Sequence, residues 1–375
     1  LFYIYILIFI ILMMLSTQKK KPIATTIIFV MLIVVMAANT KNPDFWVYER
    51  WYETNNFATN DFLYHWVSEF FYNIGASYGT FRLLYGLGGL LLIHSTLKRV
   101  YGDSVYFYFL YFLYPFMMDV VQARNFIAMS IFISAVPFII SKRKFGWLKF
   151  LLITLVASGF QALFLLFLPL AFIMMIKEHK LFKYAMIAGV LLITAVSIFY
   201  PSSLNGAVDW ITNNFSEYDV RVTTYMSVNF GFVLQLVFVF LNFVVLLISR
   251  HIVMGNAGKQ AVPLEKIQGA DMQIRFVELM YWINVFVFLY SPLIVVNSGF
   301  SRIFRNIMPL NYMACLCTAN FIRPVDAKLN YNKIFYYLAM AGYALFSFVL
   351  RVYSDNYGTI LVPLFEQNWV FKLFS

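Results

Sequence analysis

Charge is scarce in this chain. Asp, Glu, Lys and Arg make up 12% of its 375 residues, where a soluble domain carries about a quarter. Hydrophobic residues reach 62% and the mean hydropathy is +0.76. Too few polar side chains remain to cover a water-facing surface, which excludes a soluble globular enzyme and leaves a polytopic membrane protein. The formal charge of +11 is no nucleic-acid signal, because most of its cations fall in short loops, as the positive-inside rule requires. Cysteine is reduced to two residues; Cys315 and Cys317 lie two apart in one apolar helix, point to different faces, and make neither a disulfide nor a metal site. The histidines, His65, His94, His179 and His251, are scattered. No P-loop, G-x-G-x-x-G or H-E-x-x-H pattern occurs, so nucleotide-binding and zinc-hydrolase readings fall away and nothing calls for a cofactor. Central carboxylates of the kind proton-coupled transporters show are missing too. Glu278 comes nearest, and reads as a structural partner for Arg275 one turn away.

What is present is a series of apolar runs, each about the 20 residues that cross a bilayer core of about 30 Å. They fall at 1–16, 23–38, 80–97, 104–118, 122–141, 145–158, 160–176, 184–200, 230–249, 273–296, 303–321 and 334–350. The expected fold is all-α, with about twelve transmembrane helices in a single domain over 1–375. The run at Leu1 reads as a first span rather than a cleaved signal, because no small-residue cleavage site precedes Lys19. Lys19 to Lys21, Lys98-Arg99, Lys142 to Lys144, Lys177 to Lys183, Arg250 to Lys266 and Arg323 to Lys333 alternate across successive spans and mark the cytoplasmic side. Both termini then lie outside.

The outer side has a different chemistry. Its cations are Lys41, Arg50, Arg82, Arg124, Arg221, Arg302, Arg305, Arg351 and Lys372, mostly arginine, whose planar fork grips phosphate and carboxylate. Two long outer loops, about 39–79 and 201–229, mix aromatic rings with Asp, Glu and Asn. The first carries Asp44, Tyr48, Glu49, Asp61 and His65 among apolar and aromatic residues at helical spacing, which predict amphipathic helices on the outer interface. Rings that stack on sugar C–H faces beside carboxylates that take hydroxyls form a sugar-binding mixture; the plain alternative is interfacial anchoring.

Three further stretches stand out. Arg124 opens an apolar helix without another charge to Ile140, with Ala128, Ile131 and Ala135 on its face. An isolated arginine in hydrocarbon costs at least about 2.5 kcal/mol, so it should face protein, a cavity or the interface. Residues 145–176 lie between two cytoplasmic lysine clusters, yet are too few for two full spans. A short helical hairpin turning at Ser158-Gly159 below the outer surface meets both constraints, with Gln161 at the floor of an outward-facing cavity; the alternative is a register in which Lys149 snorkels inward and the hairpin just spans a locally thin bilayer. The eleventh run opens with Arg302, Arg305, Asn306 and Pro309 on one helical face, where two arginines are better explained by a shared anion than by separate headgroups.

These stretches carry a resemblance. Asn42-Pro43-Asp44-Phe45 to Tyr48, Phe81-Arg82-Leu83, Gln122-Ala-Arg124-Asn125-Phe126-Ile127-Ala128 and Arg302-Ile-Phe-Arg305 resemble, in order and topology, the EpsG-like bacterial exopolysaccharide polymerases, relatives of the Wzy polymerases. The resemblance spans most of the chain. It implies an enzyme of the bacterial cytoplasmic membrane that works on its outer face without metal. The growing glycan would pass from its undecaprenyl-diphosphate carrier to a lipid-linked repeat unit. Arg124, Arg302, Arg305 and Asp44 are then the catalytic candidates, and Arg82, Gln122, Asn125, Gln161, Tyr48, Glu49 and His65 the substrate-binding ones. The implied partners are the lipid-linked oligosaccharide, the bilayer, a flippase and a chain-length regulator, with no nucleic acid. In one respect the chain departs from its relatives. They commonly carry Phe-His on the hairpin where this chain has Phe160-Gln161, and glutamine orients a hydroxyl but cannot serve as a base. Asp44, Glu49, Asp61 and His65 are the alternatives for that role. A lipid-linked glycan flippase or exporter, and a polysaccharide ligase, are the competing readings.

Overall fold

A computed structural model describes residues 1–15, 21–56, 61–141, 144–173, 231–258, 267–296, 298–323 and 331–373, with isolated positions between 184 and 195 and at 265. In chain order the helices are α1 (Phe2–Leu15), α2 (Lys21–Ala37), α3 (Phe45–Thr54), α4 (Phe62–Asn73), α5 (Tyr78–Val100), α6 (Val105–Tyr111), α7 (Met117–Val121), α8 (Ala123–Ile140) and α9 (Gly146–Phe160). They continue as α10 (Gly231–Gly258), α11 (Ala270–Phe288), α12 (Ser291–Val296), α13 (Arg302–Asn306), α14 (Met308–Ala319) and α15 (Tyr331–Phe348), followed by short helical pieces to Lys372. No strand forms among the described residues. The outer loop 201–229, the span at 184–200 apart from single positions, and most of the lysine clusters lie outside them.

Helices Ala123–Ile140, Leu234–Ala257 and Tyr331–Tyr353 are long and apolar enough to cross a membrane, and shorter apolar helices include Phe2–Leu15, Pro22–Ala37, Val105–Val121 and Gly146–Phe160. Their outward faces are apolar as well: Leu84 and Leu91 on α5, Leu152 and Val156 on α9, Phe240 and Ile248 on α10, Phe335 and Leu338 on α15 are all exposed. Helices that turn leucine and phenylalanine outward need an apolar surround, and their closed backbone bonding is what lipid demands. This is an all-helical membrane protein.

The chain divides into two compact units, one of Leu1–Ser134, Leu155–Gln161 and Pro324–Ser375, the other of Ala135–Thr154 and Ala162–Arg323. In the first, α2 and α5 are antiparallel: Gly86 lies against Met36, and Phe29 reaches His94 with centroids 5.3 Å apart. Helices α5 and α8 run parallel, with Gly89 on Phe126 and Thr96 donating to the Ile133 carbonyl at 3.5 Å. Those directions match alternate crossings by successive spans. Consequently the C-terminus of α2, the N-termini of α5 and α8, and the loop helices α3 and α4 gather at one end of this unit.

In the second unit, α10 and α11 are antiparallel and α10 and α14 parallel, again in step with alternation. The register is fixed by buried asparagines: Asn311 Nδ2 donates to Asn242 and Asn284 at 3.1 Å each, and Asn284 returns a 2.9 Å bond to Asn311. Every residue of α14 is buried. The expected span 303–321 is therefore a core helix, and it breaks at Ile307, where Pro309 in the next turn cannot supply an amide. The span expected at 273–296 likewise stops at Phe288 and restarts at Ser291.

The hairpin forms with one difference. Its non-helical residue is Gln161 itself, after Ser158-Gly159, and the return leg Ala162–Phe172 is a 3-10 helix. The form of that leg solves the length problem. Fifteen α-helical residues rise about 22 Å at roughly 1.5 Å each. Eleven 3-10 residues rise about the same at roughly 2.0 Å each. The two ends meet, with the Trp147 and Phe172 rings 5.7 Å apart.

Candidate functional site

The end of the first unit where the loop helices gather is organised by asparagines. Asn39, fully buried, donates through Nδ2 to the carbonyls of Lys41 at 3.0 Å and Pro363 at 2.9 Å, and accepts from Asn42 Nδ2 at 2.8 Å. Asn42 in turn accepts the Asp44 amide at 3.1 Å, a local turn that aims the chain into α3. The C-terminal segment closes the assembly: Asn39 and Asn368 make an antiparallel bridge, and Asn368 donates to the Val34 carbonyl at 2.9 Å.

Arg82 completes that end. It is 2% exposed, donates to the Met36 carbonyl at 2.6 Å and to the Asn39 carbonyl, and lies over the Phe45 ring at 4.8 Å. Carbonyls at a helix C-terminus have no intrahelical donor and carry partial negative charge. One guanidinium therefore caps α2 and holds the start of the loop that follows it.

Arg124 sits in a cradle made by α3, α4 and α8. Its Nε donates to Tyr48 Oη at 3.3 Å, Nη1 is ion-paired with Asp61 Oδ2, and the guanidinium stands 5.6 Å from the Tyr48 ring and 5.5 Å from the Trp51 ring. Both charged residues are 7% exposed. Arg124 occupies the first turn of α8, where the helix macrodipole disfavours a cation, so the Asp61 carboxylate offsets both the desolvation and the dipole. A helical spacing of four puts Tyr48 and Tyr52 on the buried face of α3, while Phe62, Trp66 and Phe70 stay exposed on α4. The loop helices are amphipathic, as expected.

Beside this cradle lie Gln122, which separates α7 from α8, and Asn125, which is buried. Gly159 presses against Leu63 and Phe62, bringing the hairpin turn under α4 in the same unit as Gln161. Asp44 holds the N-cap position of α3 without a side-chain cap bond. His65 is on the open side of α4, 3.9 Å from Glu69. Partial burial and the neighbouring Glu53 push the Glu49 carboxyl above the ordinary carboxylate range, against a lowering from Arg82. Arg302 and Arg305 belong to the second unit, on α13; Arg305 and Asn306 are buried and Arg302 is half-buried.

Two features differ from the sequence expectations. Glu278 does not pair with Arg275: it accepts from Arg250 at 3.4 Å and from Trp282 Nε1 at 3.1 Å, while Arg275 bonds Asp271 at 2.9 Å and the Ile140 carbonyl. An i, i+4 pair with Asp271 and the open carbonyls ending α8 claim Arg275 first. Second, Arg124, a catalytic candidate for the donor diphosphate, already has a protein carboxylate on it, because Asp61 neutralises it. The buried Asp119 has no counterpart among the sequence expectations; it is 1% exposed and accepts from Tyr111 Oη at 2.9 Å. As the only carboxylate between Asp103 and Glu178, it was findable.

Comparisons with curated proteins and with solved structures give no match. The sequence profile of the EpsG family matches residues 22–361, a stretch that includes the asparagine-bound loop, the Arg124 cradle, the hairpin and the Arg302–Arg305 turn. The chain belongs to the EpsG family and is a membrane protein of the polysaccharide-polymerase type.

Proposed function

We propose that this protein is a Wzy-type polymerase of the bacterial cytoplasmic membrane, a single domain of about twelve spans with its site facing outward. The donor is a glycan on undecaprenyl diphosphate and the acceptor a hydroxyl of a second lipid-linked repeat unit. The bond from the anomeric carbon to the diphosphate breaks, a glycosidic bond to the acceptor oxygen forms, and the hydroxyl proton passes to a base. Arg124, Arg302 and Arg305 stabilise the departing diphosphate, work that oriented guanidinium groups do well in a site of low dielectric constant. Asp44, Glu49, His65, Gln122, Asn125 and Gln161 serve the sugars. Arg82 contributes by holding the loop rather than by touching substrate. A flippase that delivers units and a chain-length regulator are the partners such chemistry needs.

The observation that carries this reading is the Arg124 cradle, a guanidinium between Tyr48, Trp51 and Asp61 at the helix end where the loop helices converge. Purified protein incubated with lipid-linked repeat units should yield a ladder of lengthened products. Arg124→Lys and Arg302→Lys, which keep charge but lose the fork, should reduce the ladder at least about tenfold, a loss of roughly 1.4 kcal/mol of transition-state binding. Units moved unchanged across a vesicle, or transferred only to a different acceptor, would replace polymerase by flippase or ligase.

A further inference from the structure

The Arg124 guanidinium is nine-tenths buried, and the Asp61 carboxylate is bound to it. A donor phosphate has no approach to the Nη1 position while Asp61 stays there. Engagement of the whole guanidinium fork by a donor anion therefore requires Asp61 to leave.

Asp61 has somewhere else to go. It is the residue before α4, its backbone carbonyl accepts the first helical bond from the His65 amide at 3.2 Å, and it therefore stands at the N-cap. Aspartate is among the best capping residues because its carboxylate accepts the second or third amide of the helix. Here it makes no such bond, and its ψ of 74° falls short of the extended value that capping residues adopt. The first-turn amides of a helix have no intrahelical acceptor. They also lie at the positive end of a dipole that favours a carboxylate. Rotation of ψ toward the extended region together with the side chain would move Asp61 from one cationic partner to another at small cost. Helix α4, with a buried Tyr64 on one side and the exposed Phe62, Trp66 and Phe70 on the other, would stay seated.

We propose that Asp61 is the resident anion of the Arg124 cradle: a phosphate-class anion of the donor displaces it, and the freed carboxylate caps α4. The proposal rests on the reading of Arg124 as a diphosphate-binding residue. Asp61 is thus a gating and positioning residue. It keeps the guanidinium neutralised and oriented between substrates, and it makes order in the outer loop depend on donor occupancy.

The test uses the full-length protein in detergent with farnesyl diphosphate as a lipid-diphosphate probe. Asp61→Asn and Asp61→Ser keep the ability to cap but remove the competing charge. Each should bind the probe about tenfold tighter or more, because a displaced state populated at roughly 10% or less weakens wild-type binding by that fraction. Arg124→Gln should abolish the gain in the double variants. On probe binding, amide exchange at residues 63 and 64 should slow in the wild type and not in Asp61→Ala. If Asp61→Asn and Asp61→Ser bind no tighter than wild type while Arg124→Gln binds worse, the resident-anion proposal fails and the Arg124 reading survives. If Arg124→Gln binds the probe as wild type does, or no form binds it, both fail. Unchanged exchange at 63 and 64 in the wild type overturns the capping step.

Discussion

The three glycines near the middle of α5 give a graded test of the packing that positions the Arg124 cradle. A methyl group on Gly89 would lie 2.4 and 2.6 Å from Phe126 ring carbons and 3.0 Å from Ser130 Oγ. Carbon atoms pack at about 3.5–4.0 Å, so the ring must retreat by roughly 1 Å. Phe126 is fully buried, lies two residues from Arg124, and has no flexible end to give way. Forcing an extra carbon into such a contact costs about 1–3 kcal/mol. On Gly86 the methyl would meet Met36 Sδ at 2.8 Å, and a methionine chain can swing aside. On Gly88 it would meet nothing within 4 Å, leaving only the gain of up to about 1 kcal/mol that alanine brings to a helix interior. Thermal unfolding of the three alanine variants in one detergent should therefore rank Gly88→Ala highest, Gly86→Ala next and Gly89→Ala lowest. Phe126→Leu, which removes the ring edge, should recover part of the Gly89→Ala loss. Equal midpoints for Gly88→Ala and Gly89→Ala, or a further drop on adding Phe126→Leu, would refute the parallel contact between α5 and α8.

Arg82→Lys should lower stability by about 1–3 kcal/mol, since one ammonium cannot replace the fork that holds the Met36 and Asn39 carbonyls; limited proteolysis of the 39–56 segment reads it. Asn311→Ala removes a donor to Asn242 and both a donor to and an acceptor from Asn284, leaving buried amides unmatched at about 1–3 kcal/mol; a midpoint equal to wild type would show the triad to be dispensable. Glu49 binds its proton more tightly folded than unfolded, so it lowers stability as pH rises through the raised folded value. Glu49→Gln should therefore unfold later than wild type at neutral pH and at the same temperature at pH 3–4, checked by melts across that range.

How far the sequence was legible depends on which interactions are local. Positions at helical spacing identified α8 with Arg124 in its first turn, the amphipathic loop helices, and a hairpin, its turn expected at Ser158-Gly159 and found at Gln161, because 3.6-residue periodicity and cation placement act within a few turns. The 3-10 geometry of the return leg was not legible: an apolar run has no period of its own, and the rise per residue is set by the distance the leg must cover. Nor could spacing show that Met308–Ala319 is wholly buried, since a core helix and a lipid-facing one share the same composition.

The Arg124 cradle shows the same division most sharply. The sequence names the arginine, because a charge in an apolar run announces itself. The identity of its counter-ion is a question of tertiary contact, and the loop's carboxylates, Asp44, Glu49 and Asp61 among them, are equivalent when only loop membership is known. Burial separates them: Glu49, half-buried beside Glu53, is raised by desolvation and a like charge, whereas Asp61 meets Arg124 with both residues 7% exposed. An ion pair so enclosed is poor evidence for stability, since apolar residues of equal volume often do as well. Its place beside the converging loop helices of a polymerase-type chain is better explained by use, and a carboxylate that guards the cradle until an anion replaces it is a use the geometry allows.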